Sequence, residues 1–249
     1  VAGDQGGMVL VNDADMSAIL ASLADQPATS TGGSAANATL NATRLGLKST
    51  YLGKLGNCDV AATYRNRFEA LGIDSSRFKS GDVPNARSLI LTTPDADRTM
   101  RTDLGAAMTL SPDEISAADF AGCRHTHMEG YLAFNEALAD AVLAAAREAG
   151  CTVSVDLASF EVINATRPWI FKQLASGIDI VFANEDEIRA LFEDETSSYD
   201  ELAKQLASHG VTAAVKVGKD GAWIARGDEL HRIEPVVVDN VVDTNGAGD

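Results

Sequence analysis

The run Asp243-Thr-Asn-Gly-Ala-Gly-Asp249 concentrates the most chemistry in this chain of 249 residues. It follows β-branched stretches at 236–238 and 241–242, so an extended segment feeds a turn of small residues at the expected start of a helix. Gly246, Ala247 and Gly248 carry almost no side chain, so their N–H groups can converge on an anion. A helix starting there adds the positive end of its dipole. Asp249 then stands one residue from that anion, where a carboxylate serves as general base for a hydroxyl nucleophile. The same run also reads as a glycine-rich turn with a capping aspartate, which asks for no ligand.

Three more segments have this double character. Thr31-Gly-Gly-Ser-Ala-Ala-Asn37 precedes a helical pattern running to Leu45 and closed by Gly46. Gly32 and Gly33 allow a ligand to approach closely or the chain to hinge. Asn37, one turn into the helix, both donates and accepts, which suits a polyol. A simple cap on a packing helix accounts for the same residues. In Ala183-Asn-Glu-Asp-Glu187 a strand ends and a helix begins, with Asn184 as cap and the acids complementing the dipole. Its functional reading is an acidic edge beside a hydrated Mg²⁺, which touches carboxylates through its waters. Lys216-Val-Gly-Lys-Asp-Gly221 is either a plain hairpin or a backbone wall beside a nucleotide, shaped by Gly218 and Gly221.

Other chemistries find no support. His125-Thr-His127 puts two imidazoles on one strand face, but no third ligand follows at a recognisable spacing, so zinc is not expected. There is no GxxxxGK[ST] and no GxGxxG after a first strand, which removes the P-loop and the dinucleotide fingerprint and weakens a nicotinamide-dependent reading. With 20 basic and 36 acidic residues the net charge is −16, against the footprint of a nucleic-acid binder or of docking on anionic lipid. Cys58, Cys123 and Cys151 are odd in number and form no CxxC, so a reducing cytoplasm is expected rather than a disulfide framework. No apolar run reaches the length of a membrane span. The chain starts at Val1 without an initiator Met and stops at the opening of a helix, and is expected to be part of a longer one.

The elements that must position these residues alternate. Strands are expected at 49–53, 123–128, 151–156, 178–183 and 213–217, and helices at 60–71, 135–149, near 169–174, 185–192 and 199–209. That order predicts βα units around a mostly parallel, two-sided sheet. Two regions break it. Residues 8–11, 88–93 and 98–102 read as strands without intervening helices, with a turn at 94–97, and predict a small separate antiparallel sheet. Near the end, 222–226, 229–233 and 236–241 read as strands, with a hairpin at Gly227-Asp228.

Taken in order, Gly32-Gly33 with Asn37, Asn184-x-x-Glu187, Gly218-x-x-Gly221 and Asp243-Thr-x-Gly-Ala-Gly-Asp249 resemble the PfkB (ribokinase-like) family of carbohydrate and nucleoside kinases. The resemblance covers nearly the whole chain. The phrases at 7–11, 98–102, 129–132 and 156–160 look most like its adenosine-kinase-like branch. It implies a three-layer α/β/α ribokinase-like fold with a mostly parallel central sheet and a small β-sheet lid. Residues 1–249 would form one such domain lacking its N- and C-terminal parts, with lid segments at about 8–11 and 87–103. It implies transfer of the γ-phosphoryl group of ATP, with Mg²⁺, to a hydroxymethyl group. On this match Asp249 is the catalytic base and Gly246, Ala247 and Gly248 form the anion hole. Gly32, Gly33 and Asn37 bind substrate. Asn184, Lys216, Gly218, Gly221, Asp243 and Thr244 bind the nucleotide, and Glu187 meets the metal through water. The family's first strand, with its substrate-binding Asp, has no counterpart before Val1, and Lys216 stands where many members have Thr.

A competing reading is a non-catalytic sugar- or nucleoside-binding protein of the same fold. The retained Asp249 and intact Gly-Ala-Gly turn speak against it. The acceptor is left open between sugar and nucleoside. A purine site would call on aromatic side chains such as Phe134, Phe160 or Trp169, which also fit a core. A lid with an exposed sheet edge is expected to pair with a second copy as a homodimer. No nucleic-acid or membrane partner is expected.

Overall fold

A computed structural model of the chain describes residues 7–25, 27–92, 98–237 and 246–248. Two compact units divide it, Val1–Glu114 and Ile115–Asp249.

The first unit runs β1 (Gly7–Leu10), α1 (Asp13–Ser22), α2 (Ser34–Arg44), β2 (Gly53–Leu55), α3 (Asp59–Ala70), β3 (Phe78–Ser80), β4 (Arg87–Thr92) and β5 (Arg98–Asp103). Its core gathers Ala36 and Leu40 of α2, Ala61 and Phe68 of α3, and Leu55, Ile73 and Phe78 around the parallel pair β2–β3. Pairing starts at Gly53 rather than at residue 49. Tyr51 instead turns its ring onto Phe68 and Phe78, with centroids 5.2 and 5.5 Å away, and Thr50 keeps only an isolated bridge to Asp74.

The small separate sheet exists, in the order β1-β5-β4, but it is mixed rather than antiparallel. β4 and β5 are antiparallel, Ile90 facing Met100, whereas β1 lies parallel to β5 with Met8 opposite Met100. Three helices and three strands separate β1 from β5, ample for the long connection a parallel pair needs. The turn expected at 94–97 lies outside the described residues. The sequence reading missed α1. Its start is set by Asn12, whose side chain accepts the N–H of Asp15 at 2.9 Å, yet Met16 is its single buried residue, too little for a recognisable apolar stripe.

In the second unit, β6 (His125–Glu129), α4 (Glu136–Glu148), β7 (Thr152–Asp156), α5 (Phe160–Ala175), β8 (Ile180–Ala183), α6 (Glu185–Phe192), α7 (Tyr199–Ala207) and β9 (Thr212–Lys216) alternate as expected. β10 (Ala222–Arg226) and β11 (Glu229–Ile233) complete a six-stranded sheet ordered β11-β10-β9-β8-β7-β6. The four strands β6 to β9 are parallel, and β10 and β11 add antiparallel hairpins. The inner strands bury Val153, Ser154 and Val155, then Val181 and Ala183, then Ala213, Ala214 and Val215, the two-sided burial of a parallel sheet. Helix α4 seats Leu138, Ala139, Val142, Leu143, Ala145 and Ala146, one continuous face at helical spacing. After α4, α5 and α7 the chain turns back toward the sheet at Gly150, Gly177 and Gly210, at φ of 81°, 106° and 89°.

Helix α5 is far longer than the expected 169–174. Its first nine residues include Asn164, Thr166 and Pro168, poor helix formers in isolation. Burial of Val162, Ile163, Thr166, Trp169 and Ile170 overrides that preference. Val236 and Val237 lie outside any strand, so the strand expected from 236 does not begin there, and 238–241 are outside the described residues.

The β9–β10 turn is closely packed. A Cβ on Gly221, at φ 90°, would stand 2.0 Å from the carbonyl oxygen of Ile233. Gly221→Ala is therefore expected to lower the unfolding free energy by ~1–3 kcal/mol more than Gly150→Ala, from steric overlap. Gly150 shares a left-handed φ but has nothing within 4 Å of the added methyl, so only the conformational cost of roughly 1–2 kcal/mol applies there. Urea unfolding of the two variants measures the difference, and equal losses would show that the turn yields.

Candidate active site

In an open parallel α/β sheet the chain leaves every strand at the same rim, and polar groups collected there face a common crevice. Glu129, Asp156, Ala183 and Lys216 end β6, β7, β8 and β9. The sequence-identified Asn184, Glu187, Lys216, Gly218 and Gly221 all lie on or just after this rim.

Asn184 and Glu187 form a reciprocal cap on α6. The Asn184 side chain accepts the Glu187 N–H at 2.9 Å, and Glu187 Oε2 accepts the Asn184 N–H at 2.8 Å. Asn184 Nδ2 donates to the other carboxylate oxygen at 2.7 Å. Both Glu187 oxygens are thus engaged, and the residue is 3% exposed. Burial pushes its carboxyl up to about 7. The neighbouring Asp156 adds to the rise, while the Asn184 hydrogen bond and Lys216 oppose it. This arrangement fits a metal that meets Glu187 through water better than one bound to it directly. Oxygen donors in Glu187, Asp156 and Asp186 suit a hard cation such as Mg²⁺. Among the described residues no three His, Cys, Asp or Glu side chains stand together to cage an ion, and a cation held by water and phosphate oxygens does not require such a cage.

Lys216 reaches from the end of β9 to two partners. Its Nζ donates to the carbonyl of Gly248 at 2.6 Å and lies 3.5 Å from Oδ2 of Asp156. Gly246, Ala247 and Gly248 form a turn, Gly246 at φ 72°. That turn is thereby brought to the strand ends, beside Asp156 and Lys216. Asp243, Thr244 and Asp249 lie outside the described residues. Gly218, at φ 50°, opens a single 3-10 turn over Gly218–Asp220 and faces Glu185.

The sequence reading did not single out Asp156 as a site residue. A carboxylate closing the run Val-Ser-Val, buried in the structure, was the available signal, since ligands of an open parallel sheet gather at the carboxyl ends of its strands. Asp156 Oδ1 accepts the N–H of Ala158 at 2.7 Å, and Ala158 sits at φ 66°, unusual for a residue with a side chain. Tyr131 also lies close enough to feel Glu129, Glu161 and Glu187, and burial raises its phenol. Phe134 and Phe160 are exposed, whereas Trp169 is buried with its indole N–H donating to Asp140 at 2.8 Å. Trp169 therefore belongs to the core.

The His125–His127 pair does share one face, but hydroxyls satisfy it. Ser154 Oγ lies 2.8 Å from His125 Nε2 and 2.8 Å from His127 Nδ1, and Thr152 Oγ1 lies 2.8 Å from His125 Nδ1. Burial lowers both imidazoles below their usual range and favours the neutral form.

A cavity of about 630 Å³ opens along α5 and α6 beside Phe160, Asn164, Arg167 and Arg189. Its arginines are already committed, Arg167 to Glu193 and the Ala190 carbonyl, Arg189 to the Asp194 carbonyl and the Tyr199 ring. It does not include Asn184, Glu187, Lys216 or the 246–248 turn.

In the first unit, Gly33 caps α2 at φ 109° and its carbonyl accepts the N–H of Asn37 at 2.8 Å. The Gly32 carbonyl accepts the Tyr64 hydroxyl at 3.1 Å. The segment 32–37 is thus a fixed helix entry.

The sheet order, the helices between the parallel strands and the separate small sheet define a ribokinase-like α/β protein. Residues 10–249 match the family model "pfkB family carbohydrate kinase", and the chain belongs to that family. An adenosine kinase from Sinorhizobium meliloti is 31% identical with a TM-score of 0.82, over 98% of this chain and 76% of that one. A probable sugar kinase from Rhizobium etli CFN 42 is 28% identical with a TM-score of 0.84, over 98% and 75%. An ATP-dependent ribose-1-phosphate kinase of Halopiger xanaduensis is 28% identical over 221 residues, 88% of this chain and 69% of the relative. Family and relatives support a kinase that takes ATP as phosphate donor.

The buried carboxyl has a pH consequence in the ligand-free, metal-free protein. Its folded value of about 7 exceeds the ordinary 4.5, so between those values the folded state holds a proton that the unfolded state has lost. The associated stability is fully present below pH ~4.5 and is lost as pH rises through ~7. Relative to Glu187→Gln, the wild type is expected to lose roughly 3 kcal/mol of unfolding free energy between pH 5 and 8. Chemical unfolding of both proteins in EDTA across that range measures it. A parallel pH dependence would show that Glu187 does not titrate there.

Proposed function

We propose that the protein transfers the γ-phosphoryl group of ATP to a hydroxymethyl group of a sugar or nucleoside. The observation that carries this is the meeting of the small-residue turn 246–248 with Lys216 and Asp156, beside the Asn184–Glu187 cap, at the ends of parallel strands. Phosphoryl transfer asks the protein for positioning and charge stabilisation more than for covalent chemistry. The amides of Gly246, Ala247 and Gly248 hold the migrating oxygens. Asp249, next in sequence, takes the acceptor's proton late in the attack. Gly218 and Gly221 wall the nucleotide, Asp243 and Thr244 complete its site, and Glu187 orients water around Mg²⁺, which neutralises phosphate charge when bound.

Gly32, Gly33 and Asn37 take the acceptor. The small sheet β1-β5-β4 is the lid, which excludes water that would otherwise hydrolyse ATP. Its strand β1 exposes Met8, Val9 and Leu10 in succession, which supports pairing with a second copy. Both acceptor classes have relatives behind them, an adenosine kinase and a ribose-1-phosphate kinase. The exposed rings of Phe134 and Phe160 leave aromatic surface for a base.

The full-length protein with ATP, Mg²⁺ and a panel of sugars and nucleosides tests the reading, with ADP release as the signal. Asp249→Asn is expected to lower kcat by roughly 10²–10⁴ with little change in acceptor binding. An undiminished kcat would remove Asp249 from its role. Binding without ADP release on every acceptor would instead favour the non-catalytic binder.

A further inference from the structure

Lys216 is assigned by family resemblance only to the nucleotide wall, yet its contacts lead elsewhere. Its ammonium has one partner on a turn, the Gly248 carbonyl at 2.6 Å, and one on a strand end, Asp156 Oδ2 at 3.5 Å. Asp156 is itself held, because its other oxygen accepts the Ala158 N–H at 2.7 Å. This hydrogen bond joins the 246–248 turn to the end of β9. The side chain is two-thirds covered, its relative exposure being 33%, and Asp156 is covered further, at 20%. An ion pair so placed is less screened than one on open surface. Without the ammonium, Asp156 would stand near buried Glu187 without its cationic partner, and the turn would lose its tether.

We propose that Lys216 is a positioning residue, an ammonium clamp that fastens the Gly246–Gly248 turn to Asp156 and so fixes the peptide immediately preceding Asp249. This rests on the reading of that turn as the anion hole. A threonine at 216 could offer a hydroxyl to a phosphate but lacks both the reach and the charge for this bridge. The clamp acts before any ligand arrives, because both of its partners belong to the protein. Its value to the reaction is geometric. A displaced anion hole leaves nucleotide binding largely intact while the transition state loses its donors.

The test compares Lys216→Met, which keeps the stem and removes the charge, with Lys216→Arg and Asp156→Asn. Steady-state kinetics is read beside hydrogen exchange of the 246–248 amides in the ligand-free full-length protein. For Lys216→Met, kcat is expected to fall on the order of 10- to 100-fold, the scale of a misplaced catalytic group, while KM for ATP stays within about threefold. Exchange at the turn is expected to quicken in Lys216→Met and Asp156→Asn, and Lys216→Arg is expected to restore part of both readouts. A raised KM for ATP with kcat retained and exchange unchanged would make Lys216 an ordinary nucleotide contact and overturn the clamp. Should the wild type release no ADP with any acceptor, the kinase reading fails by itself. The exchange comparison still decides for or against the clamp in that case.

Discussion

Glu187 is a carboxylate with almost no access to water, and the second unit is arranged so that it can be tolerated. Two hydrogen bonds from Asn184 occupy its oxygens, its own N–H is taken by the Asn184 side chain, and the charge of Lys216 favours its ionised form. Each partner comes from a different strand end. The acid can be buried there only if β7, β8 and β9 keep their register, since a slip of one residue would send its partners to the opposite face. The price of holding charge in the protein is met by backbone order.

Much of this was legible in the sequence because it is local. The acids of 185–187 after Asn184 gave the start and the cap of α6, and Glu185–Phe192 forms as expected. The alternation of apolar runs with Ala- and Leu-rich helical patterns gave the parallel sheet. What escaped depends on distant partners. Phe160–Ala175 becomes a helix because its buried face packs against α6 and ties to α4 through Asp140, despite Pro168 and the β-branched Val162, Ile163 and Thr166. The orientation of β1 follows from a long crossover that no local pattern records. Asp156 looked like an ordinary strand end until the contact with Lys216, 60 residues away in sequence, gave it a role.

The same distinction applies to chemistry. Residue types alone drew attention to His125 and His127, and the structure pairs them with Ser154 and Thr152. Trp169, a candidate ring for a base, spends its N–H on Asp140, which also takes Gln173 and Lys172 and joins α4 to α5. The small-residue turn at 246–248, by contrast, kept its company. It sits beside the Lys216 ammonium, which Asp156 also meets.

The glycines at 150, 177 and 210, which bring the chain from helix back to sheet, face open space or the tip of a long side chain. At the opposite rim, Gly130 and Gly221 press against the carbonyls of Asp156 and Ile233. A side chain can therefore be accommodated at the first set of corners, at the cost of a positive φ, and meets backbone at the second. Tolerance to added bulk is thus uneven, generous where helices hand the chain back to the sheet and narrow where strands release it.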